Sequence, residues 1–399
     1  MTIWLLAFIL LACLAALGHQ QGAIRAAISF VGIVLAAMLA RPLAGVVKPI
    51  LTGLGLVNPV LMAAVAPFVI FVVVLSLVKV GGLAVHKKVD VYYKYKAGDL
   101  RLSLWERLNA QLGACVGLLN ALAYLVLISW VIFVMSYWTT QMAAGDSDPK
   151  SLRILNRLGK DLDSSGMSKV ARAIDPLPNI YYEAADLAGM LYRNPLREAR
   201  LSRYPAFLPL AERAEFQTLA KDTSFSTARL ENKPVVEILG NANVAAMINN
   251  PEELKLIWNT VSPDIQDLEK FLETGTSDKY SEKILGRWFF DVNGAMVAYR
   301  KTKPNLPSSA MVDFRRNLTS AYSKLSMVAM PDGSLVVKNL PQMNAKGIPE
   351  MQNLTGNWKI VGADYEFNLG RGGARRAKLE AGRLVLTGEN PTLVFTPED

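Results

Sequence analysis

The residue types that most often carry acid–base, nucleophilic or metal chemistry are few in this chain. Its 399 residues include two histidines, His19 and His86, and two cysteines, Cys13 and Cys115. All four lie in or beside apolar runs, so a disulfide-stapled domain and a cysteine-based zinc site are excluded. Any mechanism that needs a histidine after His86 is excluded as well.

One group of acids deserves a chemical interpretation. Asp264, Asp267 and Glu269 follow Ser262-Pro263 at a predicted helix start. They could form an acid–base pair or a metal site, but solvated acids at the positive end of a helix explain them better. The sequence contains no phosphate loop, dinucleotide fingerprint or His-Glu-x-x-His helix. We therefore predict that the protein is not an enzyme, with no catalytic, cofactor-binding or metal-binding residue and no cofactor.

Four apolar runs dominate the first third of the chain. They cover residues 2–18, 26–40, 59–78 and 112–138. A helix needs roughly 17–25 apolar residues to cross a bilayer. The two short runs reach that length through uncharged or long basic ends. The sequence thus predicts an all-α four-helix transmembrane domain over residues 1–138, in contact with the lipid bilayer.

The segment between the second and third runs is unusual. Residues 43–57 are apolar but contain Lys48, Pro49, Gly53 and Gly55. Two interpretations stay open: an interfacial or re-entrant segment, and a loop lying on the membrane surface.

Charge predicts the orientation. Residues 1–145 hold 10 basic and three acidic residues, and so most of the net charge of +9. The basic residues concentrate between the third and fourth runs, with Arg25 in the first connection, so the positive-inside rule places these connections in the cytoplasm. The amino terminus and residues 139–399 would then be periplasmic. Because the charge belongs to a membrane segment, nucleic-acid binding is not predicted.

Small and polar residues mark helix contacts. Asn109, Gln111 and Asn120 could bond across helices, and Gly113 and Gly117 form a small-xxx-small pair.

These residues resemble a known family. The run from Gly18 through Gly22 and Arg25 to Ser29 and Gly32 is similar to the start of the colicin V production protein (CvpA) family, in which a glycine-rich turn with an arginine opens the second helix. Leu112-Gly113, followed by Gly117, resembles the family's last helix. The resemblance covers residues 2–138 and implies a bacterial inner-membrane protein linked to colicin V production, that is, toxin biosynthesis or export. It supplies no catalytic residue, and this chain lacks the histidine of the serine proteases that some relatives append.

The second half predicts a soluble α+β domain, a helical part followed by an antiparallel sheet or small barrel. Residues 139–150 are a polar linker, and residues 151–284 have helical periodicity. Asn250 is a predicted N-cap before a core stripe of Leu254, Ile257, Trp258 and Val261, continued by Ile265, Leu268 and Leu272. Four arginines at 193, 197, 200 and 203 could touch lipid phosphates or form an ordinary solvated surface.

Residues 285–399 predict strands. Short apolar runs alternate with glycine turns, and Gly-x-Trp recurs at Trp288 and Trp358. The tripeptide resembles a lipocalin first strand and serves only as a hint of shape. Arg371, Arg375, Arg376 and Lys378 surround a glycine turn that could hold an anion, although a soluble hairpin tip explains them better.

Two functions follow from these features. The first is a membrane scaffold or export accessory whose extracytoplasmic domain binds a peptide, an envelope component or a protein. The alternative is a channel or transporter gated by that domain, suggested by the broken segment 43–57. The oligomeric state stays open.

Overall fold

A computed structural model describes residues 2–56, 59–96, 99–343, 349–370, 373–387 and 391–398. The chain forms two compact units. The first unit comprises Met1–Arg193 and Asp222–Leu256, and the second comprises Asn194–Lys221 and Ile257–Asp399. This division differs from the predicted boundaries at residues 138, 150 and 284, because helices after the membrane region belong to both units.

Four long helices open the first unit: α1 (Thr2–Gln21), α2 (Ala23–Gly53), α3 (Pro59–Lys96) and α4 (Asp99–Gln141). Each is long and apolar enough to cross a membrane. The prediction of four transmembrane helices is therefore confirmed. The helices α2, α3 and α4 are longer than a bilayer requires, since about 20 residues suffice.

The predicted irregular segment 43–57 is helical over most of its length. The helix α2 continues through Pro42 and Pro49 to Gly53. Beyond Arg41 it packs on the start of α3, where Ala44 contacts Met62 and Ala66 in a small buried cluster. Burial of these apolar faces offsets the backbone hydrogen bonds that the prolines remove. The surface-loop interpretation was therefore wrong for residues 43–53, which are helical, whereas the interfacial or re-entrant interpretation stays a prediction. Residue 57 lies outside the described residues.

The described residues of the predicted basic loop are helical as well. The helix α3 extends through Lys79, Lys87 and Lys88 to Lys96, and α4 begins at Asp99. The hydrophobicity of a sequence indicates which part of a helix is apolar enough to cross lipid. It does not predict how far the helix continues beyond that part.

Shorter helices follow. In the first unit they are α5 (Lys150–Ser164), α6 (Met167–Ala173), α7 (Ile180–Arg193), α11 (Thr223–Leu230), α12 (Val235–Leu239) and α13 (Ala242–Ile248). In the second unit they are α8 (Pro195–Leu201), α9 (Leu208–Ala211), α10 (Ala214–Ala220) and α15 (Ile265–Thr274), and α14 (Pro251–Val261) runs across the division.

The carboxyl-terminal part is a closed barrel of eight antiparallel strands, each paired with its neighbours in sequence and β1 with β8. The strands are β1 (Gly286–Phe290), β2 (Ser326–Ala329), β3 (Ser334–Met343), β4 (Pro349–Val361), β5 (Asp364–Asn368), β6 (Ala374–Glu380), β7 (Arg383–Thr387) and β8 (Leu393–Pro397). The predicted α+β class with a small barrel is confirmed. Two helices between β1 and β2, α16 (Val292–Thr302) and α17 (Ser308–Tyr322), were not predicted.

Side chains fill the barrel. Trp288 is 3% exposed, and its indole N–H donates to the carbonyl of Ile284 at 2.8 Å. It shares one buried cluster with Phe290, Phe367 and Phe395. Trp358 packs against the same cluster, so both predicted Gly-x-Trp openings belong to one barrel.

A short segment covers the outer wall of β2 and β3. Leu208 packs against the outward-facing Val328 and Val336. The carboxylate of Glu212 forms ion pairs with Arg287 and Lys338. Apolar burial and charge thus fix this segment on the barrel.

Two surface predictions need correction. Trp258 is 42% exposed, so the predicted core stripe on α14 is wrong for that residue, because α14 buries Glu253 instead. The continuation at Ile265, Leu268 and Leu272 is buried as predicted.

Lipid phosphates and an ordinary solvated surface were both open for four arginines, and three of these arginines bind protein groups. Arg200 donates to the carbonyls of Leu272 and Glu273, which end α15, and Arg197 pairs with the Glu273 carboxylate. Arg193 donates to the carbonyl of Thr140 at 3.0 Å. In the other basic cluster, Arg375, Arg376 and Lys378 lie on β6, and Arg371 lies outside the described residues.

Candidate functional site: a glycine crossing and an aromatic collar

Three glycines bring α1 and α4 into backbone contact. A Cβ atom on Gly18 would lie 2.2 Å from the carbonyl oxygen of Gly113, and one on Gly113 would lie 2.3 Å from that of Gly18. A Cβ on Gly117 would lie 2.3 Å from the carbonyl oxygen of Leu14. We call Gly18, Gly113 and Gly117 the glycine crossing. No larger residue fits there unless the helices separate, because the obstructing atoms are backbone.

The turn between α1 and α2 meets α4 beside the crossing. Gly22 has φ +83° and precedes the first residue of α2. The side-chain oxygen of Asn109 accepts a hydrogen bond from the Ala23 amide at 2.8 Å. A Cβ on Gly22 would lie 2.3 Å from the Asn109 amide nitrogen. Asn109 thus caps α2 from another helix, in place of the side-chain cap that glycine lacks.

A second asparagine binds the same pair of helices deeper in the bundle. Asn120, which is buried, donates to the carbonyl of Ala26 at 3.0 Å. The predicted interhelical bonding is confirmed for Asn109 and Asn120, whereas Gln111 is exposed.

The other motif residues lie along α2. Arg25 is half-buried, and its Nε is buried without a hydrogen-bond partner among the described residues. Ser29 is half-buried one turn further along α2. Gly32 faces α3, where a Cβ would lie 3.0 Å from a methyl group of Val78. The structure thus gathers Gly18, Gly22, Gly113 and Gly117 at one place and leaves Gly32 at a separate contact.

A family comparison covers this region. Residues 4–149 match the family model described as colicin V production protein. Residues 4–149 belong to the colicin V production protein family. The rest of the chain is unassigned, and neither a curated protein nor a solved structure matches the chain.

The outer end of α4, still within the colicin V production region, is surrounded by aromatic and acidic side chains. Asp175 accepts hydrogen bonds from the Trp130 indole at 2.9 Å and from the Tyr182 hydroxyl. Asp186 accepts from the Tyr137 hydroxyl at 3.0 Å and from the Gln141 amide at 2.6 Å. We call Trp130, Tyr137, Tyr181, Tyr182, Asp175 and Asp186 the aromatic collar.

The collar is packed as well as hydrogen-bonded. The rings of Tyr137 and Tyr182 meet edge to face at 4.8 Å between centroids, and those of Tyr181 and Tyr182 at 5.2 Å. Burial, with the nearby Asp175 carboxylate, raises the pKa of Tyr181 to about 12. Burial and the hydrogen bond to Asp175 raise the pKa of Tyr182 above its ordinary value. Both phenols therefore stay neutral donors at physiological pH.

Glycines also place the collar helices against α4. A Cβ on Gly159 of α5 would lie 2.5 Å from the Cβ of Ser136, and one on Gly189 of α7 would lie 2.8 Å from that of Gln141. Neither these contacts nor the collar was predicted from the sequence. One signal in the sequence could have indicated these contacts. Each of two amphipathic helices contains an internal glycine, and such a glycine often marks a place where another element approaches the helix closely.

This arrangement fixes the positions of helices relative to one another. Within the described ranges, no group of three or more His, Cys, Asp or Glu side chains is placed to hold a metal ion. Asp264 instead pairs with Lys279, and Asp267 accepts from Tyr204 at 2.9 Å and from Ser277 at 2.6 Å.

Proposed function

We propose that this protein is a scaffold or export accessory of the bacterial cytoplasmic membrane, linked to colicin V production. In this proposal residues 139–399 lie outside the cytoplasm and bind a peptide, an envelope component or a partner protein. The protein acts by holding and presenting that partner, without catalysing a reaction.

The continuity of α4 carries the proposal. A single helix, Asp99–Gln141, contains Gly113 and Gly117 of the glycine crossing and also Trp130 and Tyr137 of the collar. The helices α5 and α7 are fixed to its outer end by glycine contacts and by hydrogen bonds to carboxylates. A scaffold needs such a fixed connection between its membrane helices and the first helices beyond them.

Basic residues support the orientation. The start of α2 carries Arg25, and Gly22 there contacts Asn109, close to Arg107 on α4. On α3, Gly82 meets Ile28 of α2, with Lys79, Lys87 and Lys88 nearby in sequence. These residues share the end of the bundle opposite the collar, and the positive-inside rule places such an end in the cytoplasm.

Reporter fusions test the orientation. Alkaline phosphatase fused after Asp399 should be active. Green fluorescent protein fused at the same place should be dark, because it does not become fluorescent when it is exported through the Sec pathway. The same two fusions after Lys96 should behave in the opposite way. An inactive phosphatase with a fluorescent protein at Asp399 would reverse the proposed sides.

Complementation tests the role. In cells that lack the protein, the full chain should restore colicin V export, and a chain ending at residue 284 should insert in the membrane without restoring it. Gly45→Ala is the matched control, because a Cβ at Gly45 meets nothing within 4 Å. Full export by the truncated chain would contradict a presenting role for residues 285–399.

No specific observation in the structure favours the alternative of a channel or transporter. It was suggested by a broken segment at 43–57, and residues 43–53 are instead a regular part of α2. We therefore propose the scaffold alone.

A further inference from the structure

The helices α5, α6 and α7 form a hairpin that runs along α4, first from Ser136 towards Trp130 and then back towards Gln141. On the way down, Gly159 faces Ser136, and Leu162 joins a buried cluster with Phe133. On the way up, the Tyr181 hydroxyl donates to the carbonyl of Val134 at 3.2 Å. The lowest part of the hairpin is therefore its turn, residues 166–178, which we call the elbow.

Two residues of the membrane helices hold the elbow. The Trp130 indole donates to Asp175, and the Arg41 guanidinium donates to the carbonyl of Pro176 at 3.1 Å. Tryptophan and arginine are typical of the membrane–water interface.

The length of α1 gives a second, independent indication of how deep the elbow lies in the membrane. Its candidate span, Ile3–Gln21, is about 28 Å long, close to the thickness of a bilayer core. Ile3 packs in one buried cluster with Ile132 and Phe133, one turn from Trp130. The hydrocarbon region therefore extends to the level of the elbow.

The elbow exposes the side chains that suit this depth. Val170 is 41% exposed and Ile174 is 45% exposed, and their spacing of four places them on one face. Lys169 is exposed beside them, whereas the Arg172 guanidinium lies over the Phe133 ring, 5.8 Å from its centroid. An apolar face flanked by a basic residue is typical of a helix that lies in a membrane interface.

From these contacts we propose that the elbow is a second, monotopic membrane contact. Val170 and Ile174 enter the boundary between phospholipid headgroups and acyl chains on the collar side, and Lys169 lies among the phosphates. The proposal concerns depth in the bilayer and holds whichever side of the membrane the collar faces.

The adjoining helix hairpin agrees with this depth. Beyond Arg41, α2 continues outward with exposed Val46, Ile50 and Leu54. Apolar surface thus continues past the level of the elbow, so the membrane boundary is no shallower than the bond between Arg41 and Pro176.

A fluorescent label measures the depth. In the full chain with Cys13 and Cys115 replaced by alanine, Ile174→Cys is labelled with the environment-sensitive dye NBD, and the protein is reconstituted in phosphatidylcholine–phosphatidylglycerol vesicles. We expect blue-shifted emission and strong quenching by phospholipids that carry a nitroxide near the glycerol backbone. Val170→Cys should behave in the same way, which guards against a local disturbance at one position.

Ile154→Cys is the matched control. Ile154 is also an exposed apolar residue of the hairpin, at 61%. It lies on α5 one and a half turns before Gly159, about 16 Å further from the membrane than the elbow, as judged along α4 from Trp130 to Gln141. Its label should emit as in water and resist lipid quenching. Labels at positions 170 and 174 that match the control would overturn the proposal, as would quenching of both by an aqueous quencher only.

Discussion

In the membrane bundle, α1 and α4 touch through their backbones, whereas in the barrel large side chains fill the space between opposite walls. At Gly18 a single additional carbon would lie 2.2 Å from a carbonyl oxygen. In the barrel, Phe367, Phe395 and Trp288 fill the interior, each at most 3% exposed. Lipid is as apolar as leucine, so burying large side chains between membrane helices gains little, and close approach is what stabilises them. In water, buried apolar area itself stabilises the fold.

A polar side chain pairs with a backbone amide at a turn both in the bundle and in the second unit outside the barrel. In the bundle, Asn109 caps α2 across the helix crossing. In the second unit, the Asp267 carboxylate accepts from the amide of Asp278 at 2.8 Å and from Ser277 and Tyr204. The bundle and the barrel therefore differ in how they pack. The bundle and the second unit are alike in that one side chain accepts a hydrogen bond from a backbone amide at a turn.

The largest effect should come from emptying the barrel. Phe367→Ala leaves a cavity at a site that is fully buried, and we expect it to cost about 4 kcal/mol. Hydrogen exchange of barrel peptides during denaturation of the full chain in detergent measures the loss. Phe289→Ala, at a 45% exposed position on β1, is the control and should change little. Equal effects at the two positions would mean that the barrel is not held by its interior.

The opposite change should damage the bundle. Gly18→Ala adds one methyl group against backbone and should destabilise the contact between α1 and α4 by about 3 kcal/mol. Gly45→Ala adds the same group in open space within α2 and should be neutral or slightly stabilising. Thermal unfolding in detergent, followed by protease resistance of residues 2–141, compares the two. If both variants melt alike, glycine identity at the crossing does not matter and the comparison between the regions fails.

The sequence predicted the two regions unequally for the same physical reason. Uninterrupted apolar runs and glycine-separated strands are local patterns, so the four helices and eight strands could be anticipated. The length of α3 and the helices α16 and α17 could not, because amphipathic or weakly patterned helices resemble loops without their packing partners. The collar depends on pairs far apart in the chain, such as Trp130 with Asp175. Gly113 and Gly117 could be named from their spacing and Gly18 from the family resemblance, yet only the structure shows that they face one another.

The cap from α4 gives a smaller effect. Asn109→Ala leaves the Ala23 amide without its acceptor, and we expect a loss of about 1 kcal/mol. Gln111→Ala, at an exposed position on the same helix, is the control. Hydrogen exchange at the first turn of α2 measures the change most directly. Unaltered exchange in Asn109→Ala would show that Gly22 and the helix backbone suffice for this turn.

The smallest effect concerns acid. Burial raises the pKa of Asp267, but the hydrogen bonds from Ser277, Tyr204 and the amide of Asp278 outweigh it and hold that pKa below its ordinary value. A carboxylate with a lowered pKa stabilises the fold above the unfolded value of about 3.9, and this contribution disappears as the pH falls through the folded pKa. The unfolding temperature of the wild-type protein should therefore fall by a few degrees below about pH 4. In Asp267→Asn the same loss should already be present at neutral pH. Asp278→Asn is the control, because only the backbone amide of Asp278 serves Asp267 and its side chain binds Lys270. An acid-induced loss of the same size in Asp267→Asn and in Asp278→Asn would assign the acid sensitivity to other carboxylates and leave Asp267 as an ordinary surface acid.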